Sequence, residues 1–409
     1  MINQGNNKIK RLLIFTRTNT MSHSPRILFF LLFLIAFFVL VGCSSDSRST
    51  PEIDDSLSLK EQLQIVVDNA VDSGLPGISL HVQRGNENIS VVAGVINLET
   101  EEAVTSSSLF HVGSTGKAFV ATLILRLVDA DFLQLNDPID KWLDPAMSSM
   151  IANSDKITIE MLLAHTSGIE DYFDVEFAAI FGASAGKIWP PMELLEYINN
   201  TENLFEQGTQ FSYSNTNYVL LGVVAERITG LSIGTALRQW VFEPAGLENT
   251  FGVFENLGQP LTTRGYFPAD LRDALGNADL PIIGSALDTT VLINSEGLGD
   301  APLHSSPSDL NTFIRTLLDT DILLSEELKE KMITESFPGV SGFGAGLFIK
   351  DDGNRLGHGG RGIGLFAEMD YIPSENISFA TTVNAGFGDY DTLYNEYLYQ
   401  LYFVLENSQ

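Results

Sequence analysis

The chain has 409 residues, is 44% hydrophobic and carries a net charge of −29 at pH 7. Residues 1–42 hold five Lys/Arg and no Asp/Glu, so the remainder has 18 basic and 52 acidic residues, net −34. Such a charge argues against nucleic acid as a partner and against electrostatic adhesion to anionic lipid. The length and apolar content allow a large core.

Ile27 to Val41 is an apolar run preceded by Arg26 and by Lys8, Lys10, Arg11 and Arg17. At 15 residues it is short for a spanning helix and right for a signal peptide. It ends Leu40-Val41-Gly42-Cys43, and Cys43 is the only cysteine. This end resembles the bacterial lipobox, whose cysteine is lipidated and becomes the first residue of the mature protein. The resemblance implies an exported, membrane-anchored lipoprotein facing the periplasm or the cell exterior. Residues 1–42 are then a lipoprotein signal peptide, with either Met1 or Met21 as the start. Residues 43–57, polar and acidic with Pro51, read as a flexible tether.

Ser58 to Ser73 reads as an amphipathic helix, because Leu59, Leu63, Val66, Val67, Ala70 and Val71 recur at helical spacing. Gly77–Arg84 and Ile89–Val95 are β-rich runs joined by Gly85-Asn86-Glu87-Asn88, which predicts a hairpin. Helical patterns dominate from Ser114 to about Leu247, with helices expected over Tyr218–Ile228 and Ile233–Phe242. Thr250 to Gly299 has no clean periodicity and reads as loops and insertions. Pro307–Leu318 and Ser325–Thr334 read as helices, then Phe343–Lys350, Gly364–Tyr371 and Asn376–Val383 as strands. Asp391–Leu405 is an amphipathic helix suited to covering a sheet. Strands near both ends with helices between predict an α/β fold of the α+β type. One sheet is built from both termini, with a large helical insertion, and residues 58–409 form one catalytic unit.

Phe110-His111-Val112-Gly113-Ser114-Thr115-Gly116-Lys117 runs into an apolar stretch from Ala118 to Val128, broken only by Thr122 and Arg126. A helix apolar nearly all round is a buried helix. Residues i and i+3 share a helix face, so Lys117 stands over Ser114. Burial disfavours an ammonium, and a neutral amine beside a hydroxyl takes its proton. The helix N-terminus offers free N–H groups to an oxyanion. A second S-x-x-K, Ser184 to Lys187, sits in a Gly/Ala-rich stretch with no apolar helix behind it and reads as loop.

Two further motifs follow: Tyr213-Ser214-Asn215, before the helix at Tyr218, and Gly357-His358-Gly359-Gly360, before the strand at Gly364. Ser114-x-x-Lys117, Tyr213-x-Asn215 and His358-Gly359-Gly360 together resemble the serine β-lactamase and penicillin-binding-protein superfamily. The tyrosine points to the branch of class C β-lactamases, D-Ala-D-Ala carboxypeptidases, D-amidases and esterases. Ile157–Ile169 and Glu243-Pro244-Ala245-Gly246-Leu247 resemble other family segments, and the likeness spans about residues 60–405.

The resemblance implies a β-lactamase/transpeptidase-like fold with an antiparallel sheet and flanking helices. It implies an acyl-enzyme on Ser114, with Lys117 and Tyr213 sharing proton transfer and either one the base. Asn215 orients Lys117 and the substrate amide. His358 stands where lysine is commoner and donates a hydrogen bond to Tyr213 or substrate. The backbone N–H groups of Ser114 and Arg361 form the oxyanion hole, with Gly359 and Gly360 beside it. No cofactor and no metal are implied. Family members that bind a substrate carboxylate often carry hydroxyls where this chain has Gly359 and Arg361, which favours an ester or amide/D-peptide substrate unless the Arg361 guanidinium substitutes. The alternative is a non-catalytic penicillin-binding or sensor lipoprotein on the same scaffold.

Gly230-Leu231-Ser232-Ile233-Gly234 matches G-x-S-x-G but joins two helices, so it reads as a structural turn. None of the six histidines pairs as H-x-x-x-H, and His165 reads as tying a loop.

Overall fold

Helix α1 (Leu59–Asp72) begins at Ser58, whose side chain accepts from the Glu61 N–H while Glu61 reaches back to the Ser58 N–H. This reciprocal cap satisfies two otherwise orphaned donors. Its apolar face buries Leu59, Leu63, Val66, Val67 and Ala70, each Leu or Val contributing about 1.5–3 kcal/mol. The computed structural model describes Asp54 and residues 56–255, 262–295, 297–336 and 342–408. The apolar run Ile27–Val41, Cys43 and most of the tether lie outside the described residues.

Thirteen strands are described: β1 (Gly77–Arg84), β2 (Glu87–Asn97), β3 (Glu102–Ala103), β4 (Phe110–His111), β5 (Thr250–Gly252), β6 (Tyr266–Pro268), β7 (Ile282–Ile283), β8 (Ala286–Asp288), β9 (Leu303–Ser305), β10 (Phe348–Lys350), β11 (Arg355–Gly362), β12 (Leu365–Ile372) and β13 (Ile377–Val383). Seven make one antiparallel sheet in the order β10-β11-β12-β13-β1-β2-β3. The two ends of the chain meet where Ile78 pairs with Val383. Helix α2 (Gly116–Asp129) and helix α3 (Asn215–Thr229) belong to the intervening helical region. Helix α4 (Pro307–Asp319) crosses β13, β1 and β12, with Arg315 Nε donating to Ser378 Oγ at 2.7 Å. Strand side chains alternate between faces. The neighbours of Ser378, Ile377 and Phe379, accordingly join the cluster on the other face with Leu63, Val67, Ile78, Tyr394 and Leu401. Helix α5 (Asp389–Asn407) supplies the last two of these and covers that face beside α1.

The sheet, its two-ended origin and the long helices agree with the sequence reading; four regions differ. The strand expected over Phe343–Lys350 is a strand only at Phe348–Lys350, with Phe343 turned back in an isolated bridge to Phe348. Thr250–Gly299 is not all loop. It carries β5 within a small sheet β4-β9-β5, the sheet β6-β8-β7, and the helix Thr290–Ile293. These strands are two or three residues long, too short for a period to register. The helix expected over Ile233–Phe242 passes into a π-turn at Arg238–Phe242, next to Pro244, which lacks the N–H to continue the ladder. Gly357–Gly360 precedes the expected strand, β12, but is itself part of a strand, β11. Glycines disfavour strands, yet here they are sterically required. A Cβ on Gly360 would stand 2.0 Å from the Val112 carbonyl oxygen, so β11 presses backbone to backbone on the turn before Ser114.

Candidate active site

Ser114 lies in the single 3₁₀ turn Gly113–Thr115 that leads into α2. Gly113 has φ +54°, in the left-handed region where glycine carries no Cβ penalty. Its N–H donates to His111 Nδ1 at 3.1 Å. Eleven of the fourteen α2 residues are buried, Lys117 among them with no exposed surface. Phe119 stacks on Phe313 of α4 at 3.6 Å between ring centroids, which fixes the helix against the sheet layer.

Lys117 Nζ is 3.0 Å from Ser114 Oγ, 2.8 Å from Asn215 Oδ1 and 2.8 Å from the Asp300 carbonyl oxygen. An amide oxygen and a carbonyl oxygen only accept, so two Lys117 N–H groups are committed to them. The third direction points at Ser114. In the neutral amine that direction is the lone pair, and the Ser114 hydroxyl donates to it.

Asn215 opens α3, and its Nδ2 donates to Asp171 Oδ2 at 3.0 Å. By accepting from Nδ2, Asp171 holds the amide with Nδ2 outward and Oδ1 toward Lys117. Tyr172 OH donates to Asp300 Oδ2 at 2.7 Å and thereby steadies the segment whose backbone carbonyl holds Lys117. Neither acid is marked by a sequence motif. Both come to Lys117 through tertiary packing, and the signal that could have found Asp171 is its place just after His165-Thr166-Ser167-Gly168.

Burial pushes the Asp171 carboxyl up to about 7, against the pull of the Phe173 N–H and Lys117. An acid whose folded value lies above its unfolded value, about 3.9, favours folding at low pH and loses that contribution as pH rises through the folded value. The melting temperature of wild type relative to Asp171→Asn should therefore fall as pH rises from about 4 to about 8. A difference independent of pH would contradict this placement.

His165 is fully buried, and its Nδ1 accepts from the Ser214 N–H at 3.2 Å. Its ring lies 4.2 Å from that of Tyr213. It ties its own loop to the second motif, as expected. The Tyr213 ring centroid is 5.3 Å from Lys117 Nζ and 6.4 Å from the His358 ring. The structure thus gathers Ser114, Lys117, Tyr213, Asn215 and His358 around one point.

His358 differs from expectation. Its Nδ1 is 2.7 Å from the Gly359 carbonyl oxygen, which can only accept, so Nδ1 carries the proton. Burial, reinforced by Lys117, pushes the ring down to about 3. The neutral ring then has a bare Nε2, buried and unpaired among the described residues. With Nδ1–H given to the Gly359 carbonyl, the free nitrogen of His358 is an acceptor, not the donor expected.

Where the sequence predicts the oxyanion hole, a Cβ on Gly360 would lie 3.2 Å from the Ser114 nitrogen, and one on Gly113 would lie 3.7 Å from the Arg361 nitrogen. The two backbone N–H groups therefore occupy facing strands of chain. The Arg361 side chain turns away. It pairs with Asp391 at 3.1 Å, donates to Asn395 at 2.9 Å and covers the Tyr394 ring, all on α5. Its guanidinium does not substitute for the missing hydroxyls. The competing serines are structural: Ser184 ends the helix Val175–Ala183, and Ser232 caps the helix Ile233–Leu237.

Residues 63–402 match the family described as Beta-lactamase. Penicillin-binding protein 4 of Amycolatopsis lactamdurans is 26% identical over 76% of this chain and 81% of its own length. Penicillin-binding protein 4* of Bacillus subtilis strain 168 is 28% identical over 56% of this chain; this chain spans about half of that protein, 49%. Among solved structures, D-amino acid amidase from Ochrobactrum anthropi SV3, complexed with D-phenylalanine, aligns with a TM-score of 0.69 at 25% identity, covering 86% of this chain and 99% of the amidase. With the family match running over most of its length, this chain belongs to the beta-lactamase family and is a hydrolase related to D-amino acid amidases and penicillin-binding proteins.

Proposed function

We propose that the chain is a serine hydrolase that forms an acyl-enzyme on Ser114 and acts on esters, amides or D-peptides. The observation that carries this reading is the third direction of Lys117, which is left for Ser114 once Asn215 and Asp300 have taken two N–H groups. Neutral Lys117 takes the Ser114 proton as Oγ bonds to the substrate carbonyl carbon. The carbonyl electron pair moves onto its oxygen, facing the Ser114 and Arg361 N–H groups, where each donor is worth about 3–4 kcal/mol. Collapse expels the alcohol or amine. The leaving group takes back the proton from Lys117 by way of the Tyr213 hydroxyl, and water repeats the sequence on the acyl-enzyme. Lys117 rather than Tyr213 is the base in this reading, because its Nζ lies within hydrogen-bond distance of Ser114 Oγ, at 3.0 Å. The D-amino acid amidase and the penicillin-binding relatives support an amide or D-peptide substrate. The test is turnover of D- and L-phenylalanine amides and of an activated ester. Turnover of the ester and of the D-amide ahead of the L-amide is expected; inertness toward all three contradicts the reading.

We also propose that the chain is exported and held at a membrane by lipid on Cys43. The short apolar run ending at Leu40–Cys43 supports this. Labelling with a palmitate analogue should tag the protein, and Cys43→Ser should abolish the tag. An unmodified N-terminus at another residue would contradict it.

A further inference from the structure

We propose that the side chain of Arg361 is a positioning group for the reaction: by clamping the end of β11 to α5, it holds its own backbone N–H where the oxyanion forms. This rests on the hydrolase reading above. The stretch 357–364 has glycine at Gly357, Gly359, Gly360, Gly362 and Gly364, which leaves His358, Arg361 and Ile363 as its side chains. Close approaches require these glycines. A Cβ on Gly357 would stand 2.0 Å from the Met369 carbonyl oxygen, and one on Gly364 would stand 2.3 Å from Thr289 Oγ1. Glycine leaves the backbone its widest conformational freedom, so this strand end needs an anchor.

The strand register gives the N–H its direction. Ile363 and Gly364 form a two-residue loop closed by Gly362 and Leu365. In such a hairpin the closing pair exchanges both ladder hydrogen bonds, and the next pair, Arg361 and Phe366, exchanges none. The Arg361 N–H therefore points away from β12. Strand β10 covers that edge of β11 only as far as Gly357. Beyond it the turn before Ser114 approaches, and a Cβ on Gly113 would come within 3.7 Å of the Arg361 nitrogen. The side chain leaves on the face toward α5. Its guanidinium donates to Asp391 Oδ1 at 3.1 Å and to Asn395 Oδ1 at 2.9 Å. It also lies 5.5 Å from the ring centroids of Phe366 and Tyr394, which stack on each other. A planar fork held by two acceptors is fixed in orientation as well as position. The α5 side of the clamp is itself anchored, because Tyr394 and Tyr397 are buried and Tyr397 OH is hydrogen-bonded to Thr381 Oγ1 at 2.7 Å. A second arginine, Arg84 of β1, ties the other end of α5 through the Leu405 and Ser408 carbonyls at 2.6 and 2.8 Å.

The test compares p-nitrophenyl phenylacetate with its thionoester, in which sulfur replaces the carbonyl oxygen and the leaving group is unchanged. Sulfur accepts hydrogen bonds weakly, so the ester-to-thionoester ratio of kcat/KM reads the oxyanion donors. Ratios within one preparation do not depend on how much of it is folded. The full-length wild type should prefer the ester. Losing one oxyanion donor outright costs about 10²–10³-fold; Arg361→Met and Asp391→Asn, which loosen one, should each lower the ratio about 10-fold. Arg361→Lys, which keeps the charge without the fork, should fall between them and wild type. Arg84→Met, which frees α5 at its other end, should keep the wild-type ratio. A ratio unchanged in both Arg361→Met and Asp391→Asn, an equal fall in Arg84→Met, or a wild type indifferent to the sulfur overturns the clamp. Inertness of wild type toward both substrates, with no acyl group on Ser114, overturns the hydrolase reading itself and the clamp with it.

Discussion

Ser114→Ala abolishes ester and amide turnover, by about 10⁴-fold or more, while Ser184→Ala and Ser232→Ala retain it. Residual rates in serine hydrolases that have lost the nucleophile come from the oxyanion hole and binding alone, and both stay in place here because they are backbone groups. Ser114 is the serine within 3.0 Å of Lys117 Nζ. Ser184 is a helix C-cap, and Ser232 bonds Thr235 and Glu255. The fold should tolerate the loss of one hydroxyl, so a matched melting temperature in Ser114→Ala separates lost chemistry from lost structure. A dead Ser232→Ala with an active Ser114→Ala would overturn the site.

Lys117→Arg should be nearly as inactive as Lys117→Met, each losing about 10²–10⁴-fold in kcat/KM, the usual range for a general base. Arginine keeps the positive charge but does not give up its proton. The pair thus separates a lysine that takes a proton from a lysine that only supplies charge. Substantial activity in Lys117→Arg would assign the base to Tyr213. Lys117→Met should also destabilise the protein. It leaves Asn215 Oδ1 and the Asp300 carbonyl without their donor, at about 1–3 kcal/mol for each buried acceptor left unpaired.

The parts of the site that read directly from sequence are the local ones. Ser114 and Lys117 are three residues apart on one helix, and the apolar run behind them announces burial. Tyr213 and His358 are far from them in sequence, and only their motifs mark them. What sequence conceals is direction and tertiary support. Arg361 sits in β11, where side chains alternate, so it shares a face with Gly359 and lies opposite His358 and Gly360. Reading 355–362 as a strand would place its guanidinium away from His358, but glycines at 357, 359 and 360 hide that strand. The tautomer of His358 depends on its own neighbour's carbonyl. Asp171 reaches Asn215, and Asp300 reaches Lys117, from loops far away in the chain. The long helices and central strands were legible because their periods persist over seven or more residues. The two small sheets were not, at two or three residues per strand.

Mapping the acyl group formed during turnover tests the proposed mechanism most directly. The full-length protein is mixed with an activated phenylacetyl ester, quenched in acid within the first turnovers, digested and read by tandem mass spectrometry. A phenylacetyl group on Ser114, present in wild type, absent in Ser114→Ala and formed far more slowly in Lys117→Arg, is the expected result. Turnover with the acyl group on another residue, or turnover that persists in Ser114→Ala, would contradict it.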